Sequence, residues 1–243
     1  MRHIVWIISL VFLISCKEEC NEAVGKIIQK EIVVTAFDEI IVNSGIQLTI
    51  REAEVQQVIV EAGENKFDNV HTSVSGNTLE LQADDSCFFN PTLDAVKVFV
   101  SSPSVKLIRN SSEYEISSDG ILNYPNLQLI SEDHESDYGN YGNFNLHVNS
   151  HNLSILSNGL SVFAIRGNTT NLGLYYYSGI GKFEGRDLIA DFVTVYHRGD
   201  NSIKVNPQQS LKGGLYGTGD LISYNRPPIV EISEHFMGKL IFE

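Results

Sequence analysis

One short pattern returns five times between residues 153 and 242, and it constrains the fold more than any other feature of this sequence. Each copy has two apolar residues, then a hinge of small residues, then a closing apolar residue. The closing residues stand 20, 20, 18 and 19 positions apart and are Phe163, Phe183, Ile203, Leu221 and Leu240. A structural unit of about 20 residues, called a rung below, is therefore repeated along the chain.

A rung of this length predicts a stack of short strands. A strand rises about 3.3 Å per residue, so one rung holds two or three strands with their turns. If each strand pairs with its equivalent one rung away, the apolar residues form continuous interior columns. No window keeps the apolar period of a helix. We therefore predict an all-β chain, folded as a right-handed parallel β-solenoid (β-helix) with rungs of about 20 residues, and the competing fold is an antiparallel sandwich or barrel.

The small residues of the hinges are predicted to lie at corners where the chain bends. Glycine accepts positive φ and has no Cβ to clash with the next rung. The predicted structural corners are Gly159, Gly179, Gly199, Gly217, Gly219 and Gly238.

The first residues predict export from the cytoplasm. A short charged start precedes the apolar run of residues 4–14, which is too short to span a bilayer and is typical of a signal peptide. The run ends in Leu13-Ile14-Ser15-Cys16, which resembles the bacterial lipobox and implies cleavage before Cys16 and acylation of that residue. The alternative is an ordinary cleaved signal peptide followed by an incidental cysteine.

Three segments follow from this interpretation. Residues 1–15 are the lipoprotein signal peptide, residues 16–30 a lipid-anchored tether, and residues 31–243 a single β-solenoid domain. Lys17-Glu18-Glu19 resembles the export signal of surface lipoproteins in Bacteroidota and favours an outer-membrane protein displayed on the cell surface. A solvated tether facing the periplasm is the alternative.

Two cysteines remain once Cys16 is assigned to the lipid anchor. Because an exported protein meets an oxidising compartment, Cys20 and Cys87 are predicted to form a disulfide that ties the tether to the folded body. Two free thiols are the alternative. No further soft ligand stands at zinc-like spacing, so neither a metal site nor another cofactor is predicted.

The formal net charge of −13 argues against nucleic acid as a partner, because binding phosphates requires clustered Lys and Arg. It also argues against attraction to an anionic lipid surface through a basic patch. The predicted membrane contact is the lipid anchor alone.

Several acidic residues are candidate catalytic or metal-binding groups. Asp133, Glu135 and Asp137 alternate in a segment inserted into one rung and could meet Ca²⁺, although a solvated acidic loop is the commoner outcome. Asp187 and Asp191 are the other candidate carboxylates for acid–base chemistry. Glu184 and Lys204 stand 20 positions apart and are predicted to pair across rungs as surface charges.

Other motifs that suggest chemistry have simpler interpretations. His147 and His151 are four apart on strands rather than on a helix, and no HExxH or GxSxG motif is present. Arg198-Gly199-Asp200 contains a corner glycine, so its likeness to an integrin-binding tripeptide is interpreted as chance. Tyr175-Tyr176-Tyr177 turns at least one ring outward, where it could stack on a sugar or pack on the wall of the stack.

The sequence also resembles a known family, the head GIN domain family of putative autotransporter adhesins. The matching features are Phe37-x-x-Ile40-x-Val42, the Gly63-Glu64-Asn65 turn, Val74-Ser-Gly-Asn-Thr-Leu79, Cys87 before an aromatic residue, Pro103 leading into Leu107, and the Gly-x-Gly rungs. The resemblance implies a parallel β-solenoid on an exported bacterial protein and brings no catalytic residues. Departures are Ser161 and Asn201 for the second glycine, and Phe236 for the first glycine of the last rung. No outer-membrane barrel pattern follows the repeats, so a lipid anchor is the more natural means of delivery than an autotransporter.

These observations predict a non-enzymatic, adhesin-like binding module whose long side meets a glycan or protein ligand. The alternatives are a carbohydrate-active enzyme that uses an acidic face and a structural protein of the periplasmic envelope.

Overall fold

A computed structural model of the chain describes residues 24–84, 96–133 and 139–243. These residues form 17 strands and a 3-10 helix, Glu64–Asn69. The strands are β1 (Ile27–Ile32), β2 (Glu39–Val42), β3 (Ile46–Glu52), β4 (Gln57–Gly63), β5 (Val70–Ser75), β6 (Thr78–Ala83), β7 (Val96–Ser102), β8 (Leu107–Asn110), β9 (Ile116–Leu122), β10 (Asn126–Ser131), β11 (Phe144–Ser157), β12 (Val162–Tyr176), β13 (Lys182–His197), β14 (Ile203–Leu215), β15 (Leu221–Ser223), β16 (Ile229–Glu234) and β17 (Leu240–Phe242). All of them belong to one hydrogen-bonded sheet, and the predicted all-β class is confirmed.

Parallel pairing between strands one rung apart organises the C-terminal part of the sheet. Strand β11 pairs with β12, β12 with β13, and β13 with β14, which then pairs with both β15 and β16. The column of closing residues forms as predicted, with neighbours in register along Phe163, Phe183, Ile203, Leu221 and Leu240. The spacing of the sequence repeat is thus the register of the sheet.

Each long strand hydrogen-bonds to its neighbours along two separate stretches. Between them the register shifts, for example between Ala164 and Gly167 of β12 where it pairs with β13. The first stretch of a rung carries the closing residue, and the second stretch carries the pair of apolar residues that opens the next copy of the pattern. A rung therefore pairs along two stretches, and its glycine hinge follows the second one.

The N-terminal part departs from uniform parallel pairing. Strand β4 is antiparallel to both β1 and β7, and β5 is antiparallel to β6. The β5–β6 hairpin turns at Gly76, whose φ is +63°, as the Ser75-Gly76-Asn77 sequence predicts. These antiparallel pairs depart from the regular repeat, and the single solenoid domain across residues 31–243 stays a prediction. Of these pairs, β5–β6 is joined by a short turn, which can connect only antiparallel neighbours.

The folded body also begins earlier than predicted. Residues 27–30, assigned to the tether, lie in β1 and pair with β4, and the Lys30 ammonium lies 4.0 Å from the centroid of the Phe67 ring. The rest of the tether up to residue 23, the signal peptide and the three cysteines lie outside the described residues.

The interior is filled by the stacked apolar columns. Phe144, Phe163 and Phe183 are each 0% exposed, and the first two rings stack with centroids 4.7 Å apart. A second column, on the other ladder, joins Leu153, Leu172, Val193 and Leu211 in register. Within the described ranges, no helix has the length and apolar character needed to cross a membrane.

The Phe163 side chain tests the interior column. Replacing Phe163 by Ala removes a ring that stacks on Phe144 and meets Tyr176 edge-on at 6.2 Å, so the free energy of unfolding should fall by about 3–5 kcal/mol. Urea denaturation followed by circular dichroism measures the loss. The matched control is Phe192→Ala, because Phe192 is 45% exposed and should lose far less. Equal losses in the two variants would contradict the column.

Candidate functional site

The predicted corner glycines contact one another through the backbone. The Ile180 amide donates to the Gly159 carbonyl oxygen at 2.9 Å, and the Asp200 amide donates to the Gly179 carbonyl oxygen at 2.8 Å. The Gly219 amide extends the series to the carbonyl oxygen of Gly199 at 3.1 Å. Successive hinges are thus hydrogen-bonded, and this corner is part of the scaffold.

Close approach of the rungs explains most of these glycines. Only Gly179 among them has a positive φ, +82°. A Cβ on Gly217 would lie 2.3 Å from the Gly199 carbonyl oxygen, and a Cβ on Gly238 would lie 2.2 Å from that of Gly219. Such distances are far below van der Waals contact. Glycine is therefore needed at these positions because it has no side chain, more than because of its backbone freedom.

The inserted acidic segment is only partly described. Asp133 accepts a hydrogen bond from the Asn158 side chain at 2.7 Å, whereas Glu135 and Asp137 lie outside the described residues. Among the residues that are described, no three His, Cys, Asp or Glu side chains are grouped to hold a metal ion. The calcium interpretation of this segment therefore stays untested.

The other predicted carboxylates do not converge. Glu184 and Lys204 are in register on β13 and β14, and their charged atoms lie 2.9 Å apart, so the predicted pairing across rungs is confirmed. Asp187 is exposed within the register irregularity of β13, and Asp191 is half-exposed further along the strand. A carboxylate matched by a lysine on the next rung is unsuited to act as a free general base.

The remaining motifs lie on the scaffold. His147 is half-buried and His151 is exposed, on either side of the bend in β11. In the Arg198-Gly199-Asp200 tripeptide the glycine is buried at the corner, and the Asp200 carboxylate accepts a hydrogen bond from the Thr218 hydroxyl at 2.7 Å. The tripeptide is therefore held against the stack.

An exposed series of rings runs across the rungs after the tyrosine triplet. Tyr176 is fully buried, but Tyr177 is 47% exposed. Ring centroids are 5.7 Å apart between Tyr177 and Tyr196, 4.9 Å between Tyr196 and Tyr216, and 4.4 Å between Tyr216 and His235. These four residues (Tyr177, Tyr196, Tyr216 and His235) are called the tyrosine ladder below.

The rings of the tyrosine ladder are stacked at one end and tilted elsewhere, with interplanar angles of 46° between Tyr177 and Tyr196 and 31° between Tyr196 and Tyr216. The Tyr216 and His235 rings are almost parallel, with an interplanar angle of 5°, so each covers a face of the other. The faces that Tyr216 and His235 turn to each other are not available to a sugar. The ladder forms one line of neighbouring rings across the rungs.

Sequence reasoning missed a buried polar group, His197. Its side chain is 0% exposed, and its Nε2 donates to the carbonyl oxygen of Asn201 at 2.9 Å. This bond fixes the proton on Nε2 of the neutral ring. Burial lowers the pKa of His197 below its ordinary value of 6.5, while the Asn201 carbonyl and the carboxylates of Asp200 and Asp220 act in the opposite direction.

His197 belongs to an interior column that is polar rather than apolar. Ser157, Tyr176 and His197 are in register on three successive rungs. The Ser157 Oγ, the Tyr176 hydroxyl and the His197 Nδ1 are buried without a hydrogen-bond partner among the described protein atoms. These three residues are brought together only by their position in the stack, because their residue types form no sequence motif.

A substitution at Gly217 tests the corner. Because a Cβ there would overlap the Gly199 carbonyl oxygen, Gly217→Ala should lower the free energy of unfolding by about 1–3 kcal/mol. Urea denaturation measures the effect. Thr218→Ser, at the exposed neighbouring position, is the matched control and should change stability little, because it keeps the hydroxyl group that donates to Asp200. A neutral Gly217→Ala variant would refute the close approach of the two rungs.

Acidification tests the buried histidine. A histidine with a lowered folded-state pKa costs stability as the pH falls through 6.5, because the unfolded state then binds the proton more readily. The wild-type free energy of unfolding should therefore fall between about pH 7.5 and about pH 5.5. His197→Leu should flatten this dependence, since Leu215 already occupies the next position of the column. His151→Gln is the control, and identical pH profiles for wild type and His197→Leu would contradict the assignment.

Comparison with known proteins gives a consistent identity. The family model described as "Putative auto-transporter adhesin, head GIN domain" matches residues 36–227. No curated protein matches the sequence.

Solved structures share the fold at low sequence identity. A putative adhesin from Bacteroides fragilis superposes with a TM-score of 0.78 at 20% identity, covering 90% of this chain and 97% of the other. A putative lipid binding protein from Parabacteroides distasonis gives a TM-score of 0.62 at 17% identity with the same coverages. A putative adhesin from Parabacteroides merdae gives 0.60 at 14% identity, again with 90% and 97% covered.

The family match spans most of the chain and includes the repeated hinges from Gly159 to Gly219. The chain therefore belongs to the head GIN domain family of putative auto-transporter adhesins.

Proposed function

We propose that this protein is a non-enzymatic, adhesin-like binding module of the bacterial cell envelope that presents the long side of its stack to a glycan or protein ligand. The observation that carries the proposal is the continuous outer wall, defined as the outward-facing residues of β11 to β14. In-register pairing repeats on this wall the same positions rung after rung. A surface of this kind suits a repetitive or extended ligand, because little conformational freedom is lost when it binds.

Family membership supports this proposal. The family is described as a putative adhesin, and the structurally similar proteins from Bacteroides fragilis and Parabacteroides merdae carry the same description. The same assignment favours the cell surface or envelope as the place where the protein works.

A lipid ligand is less compatible with the interior. The similar protein from Parabacteroides distasonis is described as a putative lipid binding protein. In this chain the interior columns are filled by side chains such as Phe144, Phe163 and Leu174, each 0% exposed. A buried acyl chain would have to displace this packing.

A carbohydrate-active enzyme is likewise less compatible with the described wall. Acid–base cleavage of a glycosidic bond uses two carboxylates that face the same bond. On the described wall, Glu184 is paired with Lys204 and is not free to act on a glycosidic bond. Binding without turnover is the simpler use of this surface.

The proposal includes the finer architecture and the anchor. We infer that the rungs coil as a right-handed parallel β-solenoid, because parallel strands joined by crossovers adopt that hand almost without exception. Cleavage before Cys16 and acylation of its thiol and amine would attach the chain to the outer membrane with lasting affinity. A Cys20–Cys87 disulfide would then tie the anchor segment to the body.

Protease treatment of intact cells tests the location. Proteinase K should remove the protein from intact cells that express it, while a soluble periplasmic marker survives. A Cys16→Ser variant should no longer fractionate with the membrane, because its acylation site is gone. Binding of the detergent-solubilised full chain to glycan arrays and to host-matrix proteins then tests the binding role.

Full protection of the wild-type protein in intact cells would overturn surface display and favour a structural role in the periplasm. Surface exposure without binding to any arrayed glycan or matrix protein would overturn the binding role and leave the location standing.

A further inference from the structure

A second surface lies away from the tyrosine ladder, on the N-terminal part of the sheet. Strands β1, β4, β7, β3 and β9 lie side by side there, in that order. Their outer face holds a cavity of about 200 Å³. The lining residues are Gln29, Thr49, Arg51, Ile59, Phe99, Val100, Ser101 and Asp119.

The register of the strands explains this composition. Ile59, Phe99, Thr49 and Ser117 form one row across four strands, because Ile59 pairs with Phe99, Phe99 with Thr49, and Thr49 with Ser117. The Thr49 and Ser117 hydroxyl groups lie 3.4 Å apart at one end of the row. An apolar floor with an aromatic ring thus lies beside hydroxyl groups.

The neighbouring row adds charged and polar groups. Arg51 pairs with Ser101, and its Nη2 donates to the Ser101 Oγ at 3.3 Å. The Arg51 Nη1 lies 3.8 Å from the Asp119 carboxylate. Both charged side chains are more than half exposed, so they can rotate to meet a ligand.

The charged residues that line the cavity are Arg51 and Asp119, one of each sign, and Glu31 lies beyond Ile59 in the same row. The Arg51 guanidinium faces Asp119, and the Lys97 ammonium lies 3.4 Å from the Glu61 carboxylate, which also accepts a hydrogen bond from Gln29 at 2.7 Å. A phosphate or carboxylate ligand would be repelled by Asp119, and a cation would be repelled by Arg51. The balance favours an uncharged ligand with several hydrogen-bonding groups.

We propose that this cavity binds a neutral sugar residue, whose apolar face lies on Phe99 while its hydroxyl groups bond to Thr49, Arg51 and Asp119. The volume is below the roughly 300–1,000 Å³ of pockets for drug-sized ligands, and it suits one small ring. A sugar ring is amphipathic, as the lining requires, and an aromatic side chain is a good partner for its apolar face. The inference rests on the proposed binding function and assigns it a site and a ligand class.

Ligand-observed NMR with the detergent-solubilised full chain tests this assignment. The probes are methyl pyranosides of glucose, galactose, mannose, fucose and N-acetylglucosamine, with glucuronate and inorganic phosphate as charged competitors. At least one neutral pyranoside should show saturation transfer. Phe99→Leu should weaken binding at least tenfold, because leucine keeps apolar volume at this half-buried position but removes the ring.

Variants at exposed positions are included because they should lower binding without disturbing the fold. Arg51→Ala and Asp119→Ala should each weaken binding about tenfold, the loss of a hydrogen bond to a charged group, without altering the circular dichroism spectrum. Phe236→Ala is the matched control, because this aromatic side chain is 59% exposed outside both surfaces, and it should bind the pyranoside as the wild type does. Tyr216→Ala reports separately on the tyrosine ladder.

Three results would overturn the assignment. They are binding that survives Phe99→Leu and Arg51→Ala, preference for phosphate or glucuronate over every neutral pyranoside, and absence of transfer to any neutral pyranoside. If the Tyr216→Ala variant alone loses binding to an arrayed glycan or matrix protein, the cavity is the wrong site and the binding function stands. If the wild type binds no pyranoside, no arrayed glycan and no matrix protein, both the site assignment and the proposed binding function fail.

Discussion

In-register pairing between successive rungs is the constraint on which the rest of the structure depends. Parallel strands about 4.8 Å apart bring each side chain directly over its equivalent one rung away. The Phe144–Phe163–Phe183 column, the Glu184–Lys204 pair and the glycine corner are consequences of the same geometry. Each rung must therefore supply a compatible residue at every position, which is why the pattern is visible in the sequence at all.

The corner shows how narrowly this geometry limits the residue type. Successive hinges approach until a Cβ on Gly217 or Gly219 would overlap a carbonyl oxygen. Ser161 and Asn201 are accommodated because their side chains turn into hydrogen bonds, with Ser131 and with the Ile180 carbonyl respectively. The hinge positions that are not glycine are therefore those where the local space accepts a side chain. They do not show that the need for glycine is weaker in the repeat as a whole.

Two surfaces with different properties result from the two pairing patterns. Uniform parallel pairing produces the long regular wall and its tyrosine ladder, whose neighbouring rings lie 4.4 to 5.7 Å apart. The mixed pairing of the N-terminal strands instead places Phe99, Thr49 and Arg51 around a cavity. The proposed binding role would use the wall along an extended ligand and the cavity for a single unit of that ligand.

The sequence by itself determined the all-β class, the rung length, the interior column from Phe163 to Leu240 and the Glu184–Lys204 pair, because stacking converts a sequence period directly into spatial contact. Family membership could be recognised for the same reason. Only the tertiary structure decided the antiparallel N-terminal pairings, the polar column through His197 and the cavity around Phe99. The cavity residues come from strands with no common period, such as Gln29, Thr49 and Asp119, and hydrogen-bond register alone brings them together. The polar column lies on the repeated rungs, but its residue types differ from rung to rung, so the sequence period did not reveal it.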